Sequence, residues 1–302
     1  MGALKRIAEA TLAHGGLARV SRRLHAGRTL ILAYHNVVPD GAEPGADRSL
    51  HLTQTQFAEQ IALLRRTHDL TSFEDALTAR PHPSRPRAAI TLDDAYAGAV
   101  QFGVEVLAAS GAPATIFVAP GRLGGQTFWW DAIEGPDGPG PSPAFRAHVL
   151  GALAGRDELA RAAASAFGLR AVPVPRWACT ATEQDLAGAL TRHPGLVLGS
   201  HSWSHPNLAA LEGDELRREL EEPHAWLRAR FDRVLDGIAY PYGLRSERVD
   251  AAVAAAGYRF GLRIEGGWLP QTVSNPFALP RLNVPSGVSR DGFIIHAAGL
   301  VG

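Results

Sequence analysis

The sequence predicts an α/β fold with parallel strands, and three observations carry that expectation. Short apolar runs alternate with segments of helical periodicity from residue 29 to 284, the pattern of successive strand–helix units. His35, Asp93, Asp94, His201 and Tyr242 each stand at the C-terminal end of such a run. In parallel barrels those ends share one face, where active sites are built. The apolar run 88–92 also ends in two adjacent carboxylates, Asp93 and Asp94. Burying two neighbouring carboxylates is costly unless a cation sits between them. Alternation along an extended backbone points them in different directions, so one can bind a cation while the other does something else. A strand followed by an Asp N-cap is the plainer alternative.

Taken in order, residues 1–28 form a basic helical segment. Leu4, Ile7, Ala8 and Leu12 recur at helical spacing, with Lys5, Arg6, Arg19, Arg22 and Arg23 around them. The stripe either docks on the protein's own surface or lies in a membrane interface. The rest, 29–302, reads as one barrel domain. Residues 29–37 (TLILAYHNV) are a strand with His35 near its end, and 40–50 a loop. Thr53 and Gln56 form a capping box ahead of Phe57, Ile61 and Leu64 at i, i+4, i+7, hence a helix. A short helix follows Ser72, and 81–86 is a linker. After the 88–92 strand, 97–110 is a helix stopped by Gly111, and 113–119 is a strand. The texture changes beyond Phe128-Trp129-Trp130-Asp131. A Gly/Pro loop, Ala/Leu/Arg helical sequence and a further helix at 182–190 make residues 132–194 a helical insertion. It is expected over or beside the barrel mouth. Strand 196–199 runs into His201. A helix over 214–230 should kink or divide at Pro223. Strand 238–242 stops at Pro241, Ser246 caps a helix ended by Gly257, and strands 258–264 and 279–284 follow.

Composition excludes several classes. Of 302 residues 46% are hydrophobic and 20% charged, as in soluble globular proteins. Lys+Arg and Asp+Glu are both 30, without the basic excess of a nucleic-acid binder. Cys179 is the single cysteine, so an intrachain disulfide and a thiolate metal cluster are excluded. No apolar run reaches the ~20 residues of a membrane span. Residues 1–27 lack the continuous apolar core of a signal peptide. A cytoplasmic location is therefore expected, with the N-terminal helix as the route to any contact with the inner membrane surface. No protein partner is legible.

His201 and His205 are four residues apart. On one helical turn, i and i+4 share a face, so both imidazoles could reach one ion. Such a pair alone is a weak signal, since most are residues of an ordinary surface helix. Two histidines plus a carboxylate, with positions left open for water, are a set that binds a catalytic divalent metal.

Three segments resemble the polysaccharide deacetylase family, also called the NodB-homology or carbohydrate esterase 4 family. Thr91-Leu92-Asp93-Asp94-Ala95-Tyr96 is similar to its TFDDG motif, His201-Ser202-Trp203-Ser204-His205 to its H-S/T-x-x-H metal motif, and Ala239-Tyr240-Pro241-Tyr242 to its R-x-P-Y motif. Tyr34-His35 resembles the opening strand of some members, and 113–118 the strand that follows the first motif. The resemblance implies a distorted (β/α) barrel of the NodB-homology type with fewer than eight strands, here with a helical insertion. It implies a divalent ion, most commonly zinc, held by Asp94, His201 and His205. Asp93 is then the general base, and the Tyr242 N–H helps to hold the oxyanion.

The sequence departs from the family in places. Ala95 replaces a glycine, and Ala239 replaces the arginine that orients the base. Arg281, on a late strand, is the candidate substitute, with an ordinary surface arginine as the alternative. The family's last-motif histidine has no clear match. His296 lies in a terminal helix and reads as structural, so His35 is the better general-acid candidate, weighed against a satisfied core histidine. Trp129, Trp130 and Trp268 read either as a sugar-stacking wall or as core, and Asp131 as a partner for a sugar hydroxyl. The expected function is metal-dependent hydrolysis of an N-acetyl or N-formyl group on an amino sugar in a glycan or glycan precursor. The alternatives are hydrolysis of a non-sugar C–N bond, such as a cyclic imide or ureide, and a non-catalytic glycan-binding relative. Intact Asp93, Asp94, His201 and His205 weigh against the last.

Overall fold

The computed structural model describes residues 2–42, 47–78, 85–136 and 138–301. Seven parallel strands close into a barrel: β1 (Thr29–Tyr34), β2 (Arg87–Leu92), β3 (Ala114–Val118), β4 (Leu196–Ser200), β5 (Val234–Ala239), β6 (Phe260–Gly266) and β7 (Leu279–Asn283). Each pairs with its neighbour in chain order, and β7 closes the ring on β1 through Leu32↔Leu282 and Ala33↔Asn283. A three-residue strand, Asp69–Thr71, pairs with the start of β2. The expected strand–helix alternation with fewer than eight strands is therefore what forms.

β1 and β2 are buried along their whole length, which is why they read as unbroken apolar runs. One set of side chains, including Leu30, Leu32, Ile90 and Leu92, packs under the helices. The other, including Ile31, Ala89, Phe117 and Leu262, fills a separate core with Phe73. Helix Gln54–Thr67 carries the expected capping box: Gln56 N donates to Thr53 Oγ1 at 3.2 Å, and Thr53 N to Gln56 Oε1 at 3.0 Å. Its Phe57, Ile61 and Leu64 are buried. The expected 97–110 helix contains a π turn at Ala99–Gly103 and stops at Gly111, φ 64°. Of the expected 81–86 linker, residues 81–84 lie outside the described residues.

Three expectations change. Helix Gly213–Arg230 is not divided at Pro223. The lost N–H removes one bond, while Leu216, Leu220 and Leu227 stay buried on both sides of it. β5 ends at Ala239, and Pro241–Gly243 is a separate turn. Between β3 and β4, helices Pro143–Gly151 and Asp157–Ala163 stand with a two-residue antiparallel pairing, Ile133–Glu134 with Arg170–Ala171. The later helix, Glu183–Arg192, leads directly into β4 and is the crossover that a parallel connection requires. The N-terminal segment is two helices, Gly2–His14 and Leu17–Leu24. They dock on the terminal helix Arg290–Ala297, where Ser21 Oγ donates to the Ala298 carbonyl at 2.6 Å and Ser289 Oγ to Glu9 at 2.7 Å.

Candidate active site

The site forms where three strand ends turn sharply. After β2, Asp94 and Ala95 adopt φ 70° and 50°; after β4, Ser202 and His205 adopt 63° and 66°; after β5, Tyr242 adopts 59°. Among the described residues only one other non-glycine, Ala154, has positive φ. Left-handed backbone costs such residues about 1–3 kcal/mol each and gathers at functional sites. It also explains the motif's preference for glycine at the position of Ala95.

The turn after β2 separates the two carboxylates. Asp93 meets Arg281 of β7, whose Nη1 and Nη2 donate to its two oxygens at 2.7 Å each. Arg281 is 0% exposed, and its remaining donors reach Thr91 Oγ1 at 3.0 Å and the Arg263 carbonyl at 2.8 Å. Burial alone would raise the Asp93 pKa, but the guanidinium and the His201 imidazole hold it below the usual carboxylate range.

Asp94 turns to the histidines. Its Oδ1 stands 3.4 Å from His201 Nε2 and 3.2 Å from His205 Nε2, and the two Nε2 atoms are 3.2 Å apart. His201 Nδ1 donates to the Ala239 carbonyl at 2.7 Å, which leaves its Nε2 as a lone pair. Two acceptor atoms, Asp94 Oδ1 and His201 Nε2, thus face one another in a buried place with His205 Nε2 beside both. A cation relieves that repulsion. Three donors of a tetrahedral ion with bonds of ~2.0–2.1 Å stand roughly 3.3 Å apart, so the triangle fits one. We expect the protein to take up one equivalent of a divalent metal ion and its melting temperature to rise by several degrees. At about a hundred times Kd, binding to the folded state stabilises by ~2.7 kcal/mol. Retention of both properties by Asp94→Ala would reject the assignment.

His201 and His205 do not lie on a helical turn, contrary to the sequence expectation. Their loop is held from outside by Glu219 of helix Gly213–Arg230. Glu219 accepts from Trp203 N and Ser204 N at 2.9 Å and from Ser204 Oγ at 2.6 Å, and His205 N donates to Ser202 Oγ at 3.1 Å. Glu219 was invisible as a site residue because it sits in a charge run that reads as a solvated helix face.

A cavity of about 460 Å³ opens over these groups. His35, Asp93, Asp94, His201, His205 and Tyr242 share its wall, with Trp130 beside them. Arg146 and Leu150 of helix Pro143–Gly151 also line it, which places that part of the insertion at the mouth. Arg146 pairs there with Asp47. No hydrogen bond among the described residues engages the Tyr242 N–H.

The aromatic and acid expectations are revised. Trp129 is 1% exposed and stands behind Tyr242, its Nε1 donating to the Tyr242 hydroxyl at 3.2 Å. Trp268 packs against His25 with the rings tilted and pairs with Leu30 near the start of β1, far from the mouth. Asp131 is fully buried. Tyr96 OH donates to one of its oxygens at 2.6 Å, and His51 Nε2 contacts the other at 2.9 Å, so it cannot reach a sugar hydroxyl. Through Tyr96, which accepts from Trp130 Nε1 at 2.8 Å, it holds the one tryptophan that does line the cavity. Burial raises the Asp131 pKa. His296 faces the N-terminal helix beside Glu9 and Lys5, away from the site.

The closed parallel barrel thus carries at its mouth strained strand-end turns, a carboxylate paired with an arginine, and a carboxylate–imidazole set, in the place where barrel enzymes build their active sites. The chain belongs to the polysaccharide deacetylase family: the family model, described as Polysaccharide deacetylase, matches residues 80–261, more than half of its length. Membership makes it a hydrolase of the carbohydrate deacetylase class. The fold is similar to Streptococcus pyogenes deacetylase PplD in complex with acetate, with TM-score 0.62, 16% identity, and 88% of this chain and 96% of that one covered. It is also similar to IcaB from Ammonifex degensii (TM-score 0.57, 16% identity, 90% and 96% covered). The BpsB deacetylase domain from Bordetella bronchiseptica matches at TM-score 0.56 and 19% identity, with 86% and 96% covered. No curated protein matches by sequence.

Proposed function

We propose that the protein is a zinc-dependent, cytoplasmic N-deacylase that removes an acetyl or formyl group from an amino sugar in a glycan or glycan precursor. The observation that carries this reading is the division of labour between adjacent carboxylates, Asp94 facing two imidazoles and Asp93 locked on Arg281. An ion held by Asp94, His201 and His205 would supply a Lewis acid that acidifies water and polarises the acyl carbonyl. Asp93 accepts the proton of the attacking water; its oxygens keep lone pairs free beyond those that Arg281 uses. The Tyr242 N–H donates to the carbonyl oxygen as negative charge develops there. The C–N bond then breaks, and the nitrogen needs a proton to leave as an amine.

His35 is the residue expected to donate that proton. Burial lowers its pKa, and the pull of Asp94 and Asp93 does not restore it. A lowered pKa makes His35 a poorer store of that proton, and the proton that Asp93 takes from water, returned to nitrogen, balances the reaction. His35→Gln is accordingly expected to slow turnover while leaving the basic limb of the pH–rate profile in place. Disappearance of that limb would return the donor's role to His35.

Turnover of acetylated and formylated amino sugars, with added zinc and with chelator, tests the whole reading. Chelator-insensitive turnover, or hydrolysis confined to cyclic imides or ureides, would reject it.

A further inference from the structure

Among the described residues, eight large apolar side chains are exposed, and four of them lie in the first 24 positions. Ile7 is 65% exposed, Leu17 50%, Val20 53% and Leu24 79%. Helix Leu17–Leu24 is the clearest case. It buries its small residues, Ala18 and Ser21, and turns its large ones to solvent. At i, i+3 and i+7, Leu17, Val20 and Leu24 share one face. Docking on the terminal helix therefore leaves the helix's apolar face uncovered.

The polar side of the same helix is basic. Arg19 and Arg23 are exposed and Arg22 is half-buried, and no carboxylate among the described residues pairs with any of the three. Residues 1–28 hold six lysines and arginines against a single acid, Glu9, in a chain whose net charge is zero. An apolar face bordered by unpaired arginines complements an anionic bilayer, whose acyl boundary takes the leucines while its phosphates meet the guanidinium groups. A second copy is the poorer occupant, because a two-fold contact would bring each helix's arginines against those of its mate.

We propose that helix Leu17–Leu24, with Gly2–His14 beside it, seats the protein on an anionic membrane surface. The chain passes from this helix directly into the N-terminal end of β1. The seat therefore lies toward the barrel end opposite the cavity, and the mouth stays open to substrate in solution.

Flotation of the full chain with vesicles tests this. Vesicles of phosphatidylcholine with about 30% phosphatidylglycerol are expected to bind at least ~10-fold more protein than phosphatidylcholine alone, with strong weakening at ~0.5 M salt. Combined Leu17→Gln, Val20→Gln and Leu24→Gln should lower binding ~10-fold or more by removing buried apolar area. Separately, Arg19→Glu with Arg23→Glu should abolish the preference for anionic vesicles. Both variants should retain wild-type turnover of a soluble acetylated amino sugar, which also shows that they fold. Failure of the wild type to float with anionic vesicles at low salt overturns the proposal, as does equal binding to both vesicle types. Conversion of a dimer to a monomer by the glutamine variant would assign the face to a second copy and overturn it as well.

Discussion

Asp93→Asn is expected to lower kcat by ~10²–10⁴-fold, the range for losing a positioned general base, while the variant still takes up one equivalent of metal. Both halves follow from the turn after β2. Asp93 directs its two oxygens to Arg281 and makes no contact within the three-atom cluster of Asp94, His201 and His205. The amide is nearly the same shape as the carboxylate but cannot take a proton from water at any working pH. Its NH2 group also opposes a guanidinium donor, so the fork that fixes the side chain is half lost. Metal analysis and kinetics on one sample decide the matter. A metal-free variant would make Asp93 a ligand, and a fully active one would remove it from the reaction.

Arg281→Ala carries the second large effect, and it reaches both stability and pH dependence. Removing one member of a buried, hydrogen-bonded ion pair typically costs ~3–5 kcal/mol, because the other charge is left unpaired. In the wild type, burial raises the Asp93 pKa and Arg281 more than offsets it, so the folded value lies below the ordinary one. That charge stabilises the fold above the unfolded pKa, and the contribution fades as pH falls toward the folded pKa. Without Arg281, burial dominates and the Asp93 pKa rises. The variant's stability deficit is then largest near neutral pH and narrows in acid. The acidic limb of its pH–rate profile moves upward, since the base stays protonated to higher pH. Arg281→Lys restores the charge without the fork and should bring the limb partly back. An unmoved limb, together with additive effects in Arg281→Ala/Asp93→Asn, would show that the two residues do not work as a unit.

The residues of the site were legible to different depths. Asp93, Asp94, His201 and His205 could be singled out because their motifs are short and sit beside apolar runs. Arg281 could be named only as one of two readings, being 188 positions from Asp93. Nothing local distinguishes an arginine inside a barrel from one on its surface. The tryptophans show the limit most clearly. Trp129 and Trp130 are neighbours of the same chemistry, yet one stands behind Tyr242 and the other faces the cavity. That difference depends on the direction in which a single four-residue helix, Trp129–Ala132, presents them. Asp131 followed the same logic: it read as a sugar partner, but His51, 80 positions earlier, claims its carboxylate.

The sequence by itself determined the strand–helix alternation, the capping box at Thr53, the stop at Gly111 and the order of the three motifs. Each is a property of a few consecutive residues, set by periodicity, backbone preference or side-chain reach within one turn. Tertiary structure alone decided the closure of seven strands, the pairing of Arg281 with Asp93 and the left-handed loop that brings His201 onto His205. It also decided the surroundings that lower the pKa of His35 and the exposure of Leu17, Val20 and Leu24. These depend on which distant groups share a low-dielectric interior, and on which faces remain uncovered once every element has packed. Charge and burial are properties of the assembled surroundings, and no window along the chain contains them.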